Sequence, residues 1–138
     1  MPRPSHHRPQ GPSQRQLRVA EEIRRIMVEI FNRAHWREPV LINTAITVTA
    51  ARISPDLKNV TIFCMPLGGA HVDEVIAALN RSKGYLRGEL GHAISLRHVP
   101  DLRFAEDRSF EEAQHIEELL RTERVRRDLA AKGKDEQE

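Results

Sequence analysis

At 138 residues, 39% hydrophobic and 30% charged, the chain has room for one soluble domain with polar ends rather than two domains. No run approaches the roughly 18 apolar residues of a membrane-spanning helix, and the first residues lack a signal-peptide core, so neither a membrane partner nor export is expected. The single cysteine, Cys64, excludes an internal disulfide and fits a reducing cytoplasm. The net charge of +2 conceals an asymmetry: residues 1–104 carry 15 Lys/Arg against 9 Asp/Glu, and residues 105–138 carry 7 against 11. A basic body with an acidic end points to a polyanionic partner without naming it.

Residues 1–12, MPRPSHHRPQGP, hold four prolines, two arginines, two histidines and no acid, and read as a disordered arm. His6-His7 has no partner at ligand spacing, so it reads as solvated rather than metal-binding. From Ser13 to about Arg37, Val19, Ala20, Ile23, Ile26, Met27, Ile30, Phe31 and Ala34 form the apolar stripe of a helix. Glu21 with Arg25 and Glu29 with Arg33 are i, i+4 pairs on its outer face. Pro39 biases Glu38 away from helix, so the element should end before it. Trp36, the only tryptophan, is expected at the core edge in preference to a base-stacking platform.

Leu41 to Ile53 is rich in β-branched residues and reads as a strand, with Ile46, Val48 and Ala50 on one face. Ser54-Pro55-Asp56 is turn chemistry. Val60 to Met65 reads as the second strand of a hairpin, with Val60, Ile62 and Cys64 on one side. Cys64 in mid-strand fits a small buried hydrophobe better than a nucleophile. Gly68-Gly69 is not a phosphate loop, since no Gly-Lys-Ser/Thr follows.

Val72 to Leu96 reads as two helices joined by a break at Ser82-Lys83-Gly84. Val72, Val75, Ile76 and Leu79 make the first buried face; Leu86, Leu90, Ala93 and Ile94 make the second. A glycine inside a helix costs roughly 1 kcal/mol against alanine, so Gly84 should bring a kink or the close approach of a partner's backbone. The amide hydrogens opening the second helix suit a phosphate, and Arg81, Lys83 and Arg87 add positive charge. Taken alone, these residues favour a helix–turn–helix corner with solvated cations over an RNA contact. Leu102 to Ala105 reads as a third strand. Ser109-Phe110-Glu111-Glu112 is a capping box, opening a last helix with Ala113, Ile116, Leu119 and Leu120 inward. The order predicts a two-layer α+β domain with three strands and helices on one face. The expected divisions are an arm at 1–12, a domain at 13–124 and a charged flexible tail at 125–138.

That order, broken between its fourth and fifth elements, resembles the type II KH fold, in which a Gly-x-x-Gly loop between two helices clamps single-stranded backbone. The chain lacks that tetrapeptide. Its Ser82-Lys83-Gly84 resembles the kink of the ribosome-binding factor A family, where alanine or serine, any residue, then glycine is usual. Three further stretches are similar to that family: Arg18-Val19-Ala20-Glu21-Glu22-Ile23, Ile53-Ser54-Pro55-Asp56-Leu57, and Arg97-His98-Val99-Pro100-Asp101-Leu102-Arg103-Phe104 with its continuation Glu106-Asp107-Arg108-Ser109. The resemblance spans roughly residues 14–122 and departs from the family at Gly68-Gly69-Ala70-His71 and in both tails.

The resemblance implies a non-catalytic, cofactor-free, monomeric bacterial assembly factor. Its partner would be the maturing small (30S) ribosomal subunit, near the 5′ region and decoding centre of its 16S rRNA. It would assist late maturation and rRNA processing, matter for growth in the cold, and be released with help from a ribosome-dependent GTPase. The expected RNA-binding residues are Arg81, Ser82, Lys83, Gly84, Tyr85 and Arg87 at the break. Arg15, Arg18, Arg25, Lys58 and Arg97 would widen the footprint, with the basic half of the first helix beside the break. With few aromatics, and only Tyr85 well placed for stacking, a reader of shape and charge is expected. No histidine stands at triad or metal-ligand spacing, so neither catalytic residues nor a metal are expected. The competing reading is a protein-interaction or dimerisation domain that uses an apolar open sheet face. A face threaded with Thr47, Thr49 and Thr61 would favour solvent or RNA.

Overall fold

The computed structural model describes residues 11–135. His6-His7 and nearly all of the Pro/Arg arm lie outside the described residues, as does the end of the tail. Helix α1 (Gln14–Arg33) starts at a reciprocal cap. The Ser13 Oγ accepts the Gln16 N–H at 3.2 Å, and the Gln16 Oε1 accepts the Ser13 N–H at 2.9 Å. The same glutamine donates from Nε2 to the Ile53 carbonyl at 3.1 Å, which ties the first turn of α1 to the sheet. Val19, Ala20, Ile23, Met27 and Ile30 are buried along the predicted stripe.

α1 ends at Arg33, short of the expected Arg37, because Ala34 turns extended (φ −65°, ψ 140°). That turn lets Trp36 fold back edge-on to Phe31, with ring centroids 5.4 Å apart. Pro39 then opens a one-turn helix, α2 (Pro39–Ile42), at the position where its missing N–H costs nothing. Leu41, expected in a strand, is instead the buried anchor of that turn. Two predicted surface pairs also form differently. Glu21 is held by Arg24 at 2.7 Å, and Arg33 faces Glu89 at 3.8 Å.

Strand β1 (Ile46–Ile53) pairs antiparallel with β2 (Asn59–Pro66), with a bulge between Val48 and Ala50. The bulge moves Ala51 and Ile53 to the inner face, where Ala50 was expected. Thr49 turns its hydroxyl to the Phe63 carbonyl at 3.3 Å and to the Asp107 carboxylate. Val60, Ile62 and Cys64 are buried as predicted, and burial pushes the Cys64 thiol up to about 12, an inert hydrophobe. β2 pairs in parallel with β3 (Asp101–Glu106), Val60 opposite Leu102 and Ile62 opposite Phe104. Among the described residues the sheet order is β1-β2-β3.

A parallel pair needs a crossover, supplied here by α3 (Val72–Arg81) and α4 (Lys83–Ala93). The turn into α3 uses Gly68 and Gly69 at φ 82° and 71°, a conformation that glycine adopts without strain. Val75, Leu79, Leu86 and Leu90 bury the crossover against the sheet and α1. The result is a two-layer α+β domain of type II KH-like form, with helices on one face, plus a C-terminal helix.

The chain divides into two units at Asp107/Arg108. The second unit is α5 (Ser109–Asp135), in which the Glu112 N–H bonds the Arg108 carbonyl at 2.9 Å. Ile116, Leu119 and Leu120 are about half exposed, at 57%, 55% and 49%. α5 runs through to Asp135. Its Glu, Arg, Leu and Ala content favours helix, and Glu117/Arg121 and Glu123/Arg127 stand at supporting spacing.

Candidate nucleic-acid interface

The break falls where the sequence places it. The Ser82 N–H closes α3 on the Ala78 carbonyl at 3.0 Å, and the Leu86 N–H opens α4 on the Ser82 carbonyl at 3.1 Å. Between them stand the amide hydrogens of Lys83, Gly84 and Tyr85, the first-turn donors that a helix leaves without an i−4 acceptor. Ser82 (φ −90°, ψ 4°) offers no side-chain cap. Lys83, Gly84 and Tyr85 are all exposed. A Cβ added at Gly84 would meet nothing within 4 Å, and the same holds one turn on at Gly88. Neither glycine is demanded by internal packing or by a positive φ.

The inner side of the break is fixed by Asn80. Its Nδ2 donates to the Phe104 carbonyl at 3.0 Å and the Ile76 carbonyl at 3.1 Å, while its Oδ1 accepts the Phe104 N–H at 2.9 Å. One side chain thus ties the last turn of α3 to the backbone of β3 and leaves the outer side of the break open.

The cations at the break have different fates. Arg81 forks onto Glu38 at 2.9 and 2.5 Å, joining the end of α3 to the start of α2. Arg87 donates to the Pro100 carbonyl at 3.2 Å and the Val99 carbonyl at 2.7 Å, and lies 3.4 Å from Asp101. It holds the loop between α4 and β3. Lys83 pairs with no carboxylate among the described residues.

The remaining predicted residues do not gather at the break. The bond from Gln16 to Ile53 puts the first turn of α1, with Arg15 and Arg18, at the hairpin-turn end of the sheet. Lys58 is in that turn, and its carbonyl accepts the Asp101 N–H at 2.8 Å, so the loop carrying Arg97 enters there too. All four are exposed, as is Arg25 farther along α1. It is the C-terminal end of α1 that meets the break: the His35 N–H lies 3.5 Å from the Tyr85 hydroxyl. At 1.5 Å of rise per residue, Arg18 is roughly 20 Å along the helix from that end. The expectation that the basic half of α1 flanks the break is therefore corrected.

Of the segment after α1, sequence reasoning weighed Trp36 alone and missed its neighbours His35, Arg37 and Glu38. His35, Trp36, Arg37 and Glu38 line a cleft of about 690 Å³ together with Arg81, Ser82, Gly84, Tyr85 and Glu89. A histidine, a tryptophan and two charges before a proline were the available signal. The outer sheet face is mixed: Arg52, Thr61 and Arg103 stand in one cross-strand row beside Thr47 and Thr49, and Phe63 and Met65 of β2 share that face. Arg52 lies over the Phe63 ring, 5.5 Å from its centroid. Among the described residues no three His, Cys, Asp or Glu side chains could hold a metal, and no helix is long and apolar enough to cross a membrane.

A β-β-α-kink-α-β core behind an N-terminal helix, with the kink exposed, defines a type II KH-like module. The family model described as "Ribosome-binding factor A" matches residues 15–120. The ribosome-binding factor A of Phenylobacterium zucineum is 52% identical over 132 residues, covering 94% of this chain and 91% of that protein. That of Paramagnetospirillum magneticum is 48% identical over 118 residues, covering 86% and 83%. The chain belongs to the ribosome-binding factor A family. Among solved structures, the crystal structure of ribosome-binding factor A from Thermus thermophilus matches at a TM-score of 0.58 and 21% identity, covering 68% of this chain and 98% of that one. A Thermus thermophilus homology model fitted into a cryo-electron-microscopy map of a 30S–RbfA complex matches at 0.55 and 20%, covering 67% and 96%.

Proposed function

We propose that this protein binds the small (30S) ribosomal subunit through its 16S rRNA, with the break between α3 and α4 as the principal contact. The observation that carries the reading is Gly84, a helical glycine in open space beside first-turn amides and a lysine that have no partner among the described residues. Since nothing inside the fold requires it, the absent side chain fits the close approach of an external backbone. The amides of Lys83, Gly84 and Tyr85 accept a phosphate, and Lys83 neutralises it. Arg81 and Arg87 set the two helices and the following loop in place and lend the break their charge. Arg15, Arg18, Lys58 and Arg97 form an outlying patch at the hairpin end, and Arg25 lies between. Membership of the family and the 30S–RbfA complex of a structural neighbour support the subunit as the partner.

The role is non-catalytic binding in the cytoplasm by a monomer. It assists late 16S rRNA maturation, supports growth in the cold, and ends with release by a ribosome-dependent GTPase. The row Arg52, Thr61 and Arg103 interrupts the apolar side chains of the outer sheet face, which favours solvent or RNA over an apolar protein-docking sheet. Co-sedimentation tests the reading: the protein should pellet with free small subunits in preference to assembled ribosomes. Lys83→Glu should reduce that binding while thermal unfolding is unchanged. Each phosphate neutralised on single-stranded RNA adds about 0.7 to the magnitude of the log–log salt slope. Equal binding to both particles, or an affinity indifferent to salt, would overturn the proposal.

A further inference from the structure

The cleft beside the break has a chemistry different from that of the break itself. At about 690 Å³ it lies within the roughly 300–1,000 Å³ of small-molecule sites. Tyr85, 42% exposed, lines it, and its hydroxyl accepts from the His35 N–H at 3.5 Å. Trp36, a second lining residue, is braced edge-on by Phe31, which stacks at 6.1 Å on the buried Phe104. The aromatic wall is therefore rooted in the core. The other wall is the Glu38–Arg81 fork.

The charges lining the cleft balance. Arg37 and Arg81 stand against Glu38 and Glu89, whereas Lys83 does not line it. Two carboxylates disfavour a phosphate, while fixed aromatic walls suit a neutral heterocycle. Single-stranded RNA supplies both chemistries within one nucleotide of each other, an anionic backbone and an unpaired base. We infer that this cleft receives one unpaired nucleobase of the bound RNA, stacked on Tyr85 beside Trp36, while the adjoining phosphate sits at Lys83 and Gly84. The inference rests on the RNA reading above and deepens it.

Trp36 is the sole tryptophan, so the intact protein carries its own reporter. The probes are a short single-stranded RNA of mixed sequence and an abasic oligomer with the same ribose–phosphate backbone. The base-bearing RNA should change Trp36 emission saturably. It should bind roughly tenfold more tightly than the abasic oligomer, the size of one stacked base. Tyr85→Ala should remove that advantage and Tyr85→Phe, which keeps the ring, should retain it. Equal affinity for the two oligomers and a silent Trp36, with Lys83→Glu still weakening both, would overturn the base site and leave the backbone reading standing. Failure of either oligomer to bind, with small-subunit binding indifferent to Lys83→Glu, would remove the backbone reading and this inference with it.

Discussion

The protein makes two tight corners that each carry a lysine, and they are built on opposite principles. At the hairpin turn the Ser54 hydroxyl donates to Asp56 at 2.5 Å, Asp56 accepts the Lys58 N–H at 3.1 Å, and the Ser54 oxygen accepts the Asn59 N–H at 3.0 Å. The Leu57 N–H reaches the Ser54 carbonyl at 2.9 Å, with Leu57 itself at φ 62°. The Ser54 hydroxyl and the N–H groups of Leu57, Lys58 and Asn59 are all used, and the left-handed Leu57 is held by this network. At the helix break no side chain caps α4, and the glycine there has nothing above it. The first corner meets its donors from within the chain; the second leaves its first-turn amides to the outside.

The largest effect should come from the residue that holds the break open. Asn80→Leu strips the Phe104 N–H and carbonyl of their partners. It is expected to cost about 2–4 kcal/mol in urea unfolding. A loss near zero would mean the break stands without its anchor.

Next comes Gly84→Ala. The new methyl has free space in the unbound protein, so stability should stay within about 0.5 kcal/mol or rise. Small-subunit binding should weaken about fivefold if RNA backbone comes up against the glycine. Unchanged binding would show that no backbone approaches there. Gly88→Ala sharpens the contrast: in open space in mid-helix, it should raise stability by about 0.5–1 kcal/mol. A loss of stability on calorimetry would reveal a packing constraint on that turn.

The smallest effect belongs to the self-satisfied corner. The Ser54 hydroxyl, then the Lys58 N–H, hold the Asp56 carboxyl below its ordinary value. A folded value below the unfolded one gives stability that is present above the ordinary aspartate value of about 3.9. That stability is lost as pH falls through the folded value. Wild type should therefore have a slightly higher urea midpoint than Asp56→Ala at neutral pH, and the gap should close in acid. A gap that persists in acid would assign the difference to something other than the carboxylate.

Much of this contrast was legible in the residues. Ser54-Pro55-Asp56 announced the hairpin and Ser82-Lys83-Gly84 the break, because both depend on local chemistry. The buried set Val60, Ile62 and Cys64 was equally plain, since a one-sided sheet requires that alternation. What escaped depends on partners distant in sequence. Arg81 turns to Glu38, and Arg87 to the carbonyls of Val99 and Pro100; no spacing rule marks either. α1 stops early because Trp36 seeks Phe31, and the bulge at Val48/Ala50 shifts the inner face by one residue. Asn80 did leave a sign, since it continues the row Val72–Ile76 at i+4 spacing, where a polar side chain calls for a partner.

The measurement that bears most directly on the two corners is a side-by-side titration of free small subunits with Lys83→Glu and Lys58→Glu. Both substitutions reverse one exposed charge, and both should leave the fold intact. If the break is the principal contact, Lys83→Glu loses about tenfold in affinity and Lys58→Glu no more than about threefold, at fixed salt. Equal losses, or a larger loss at Lys58, would contradict it.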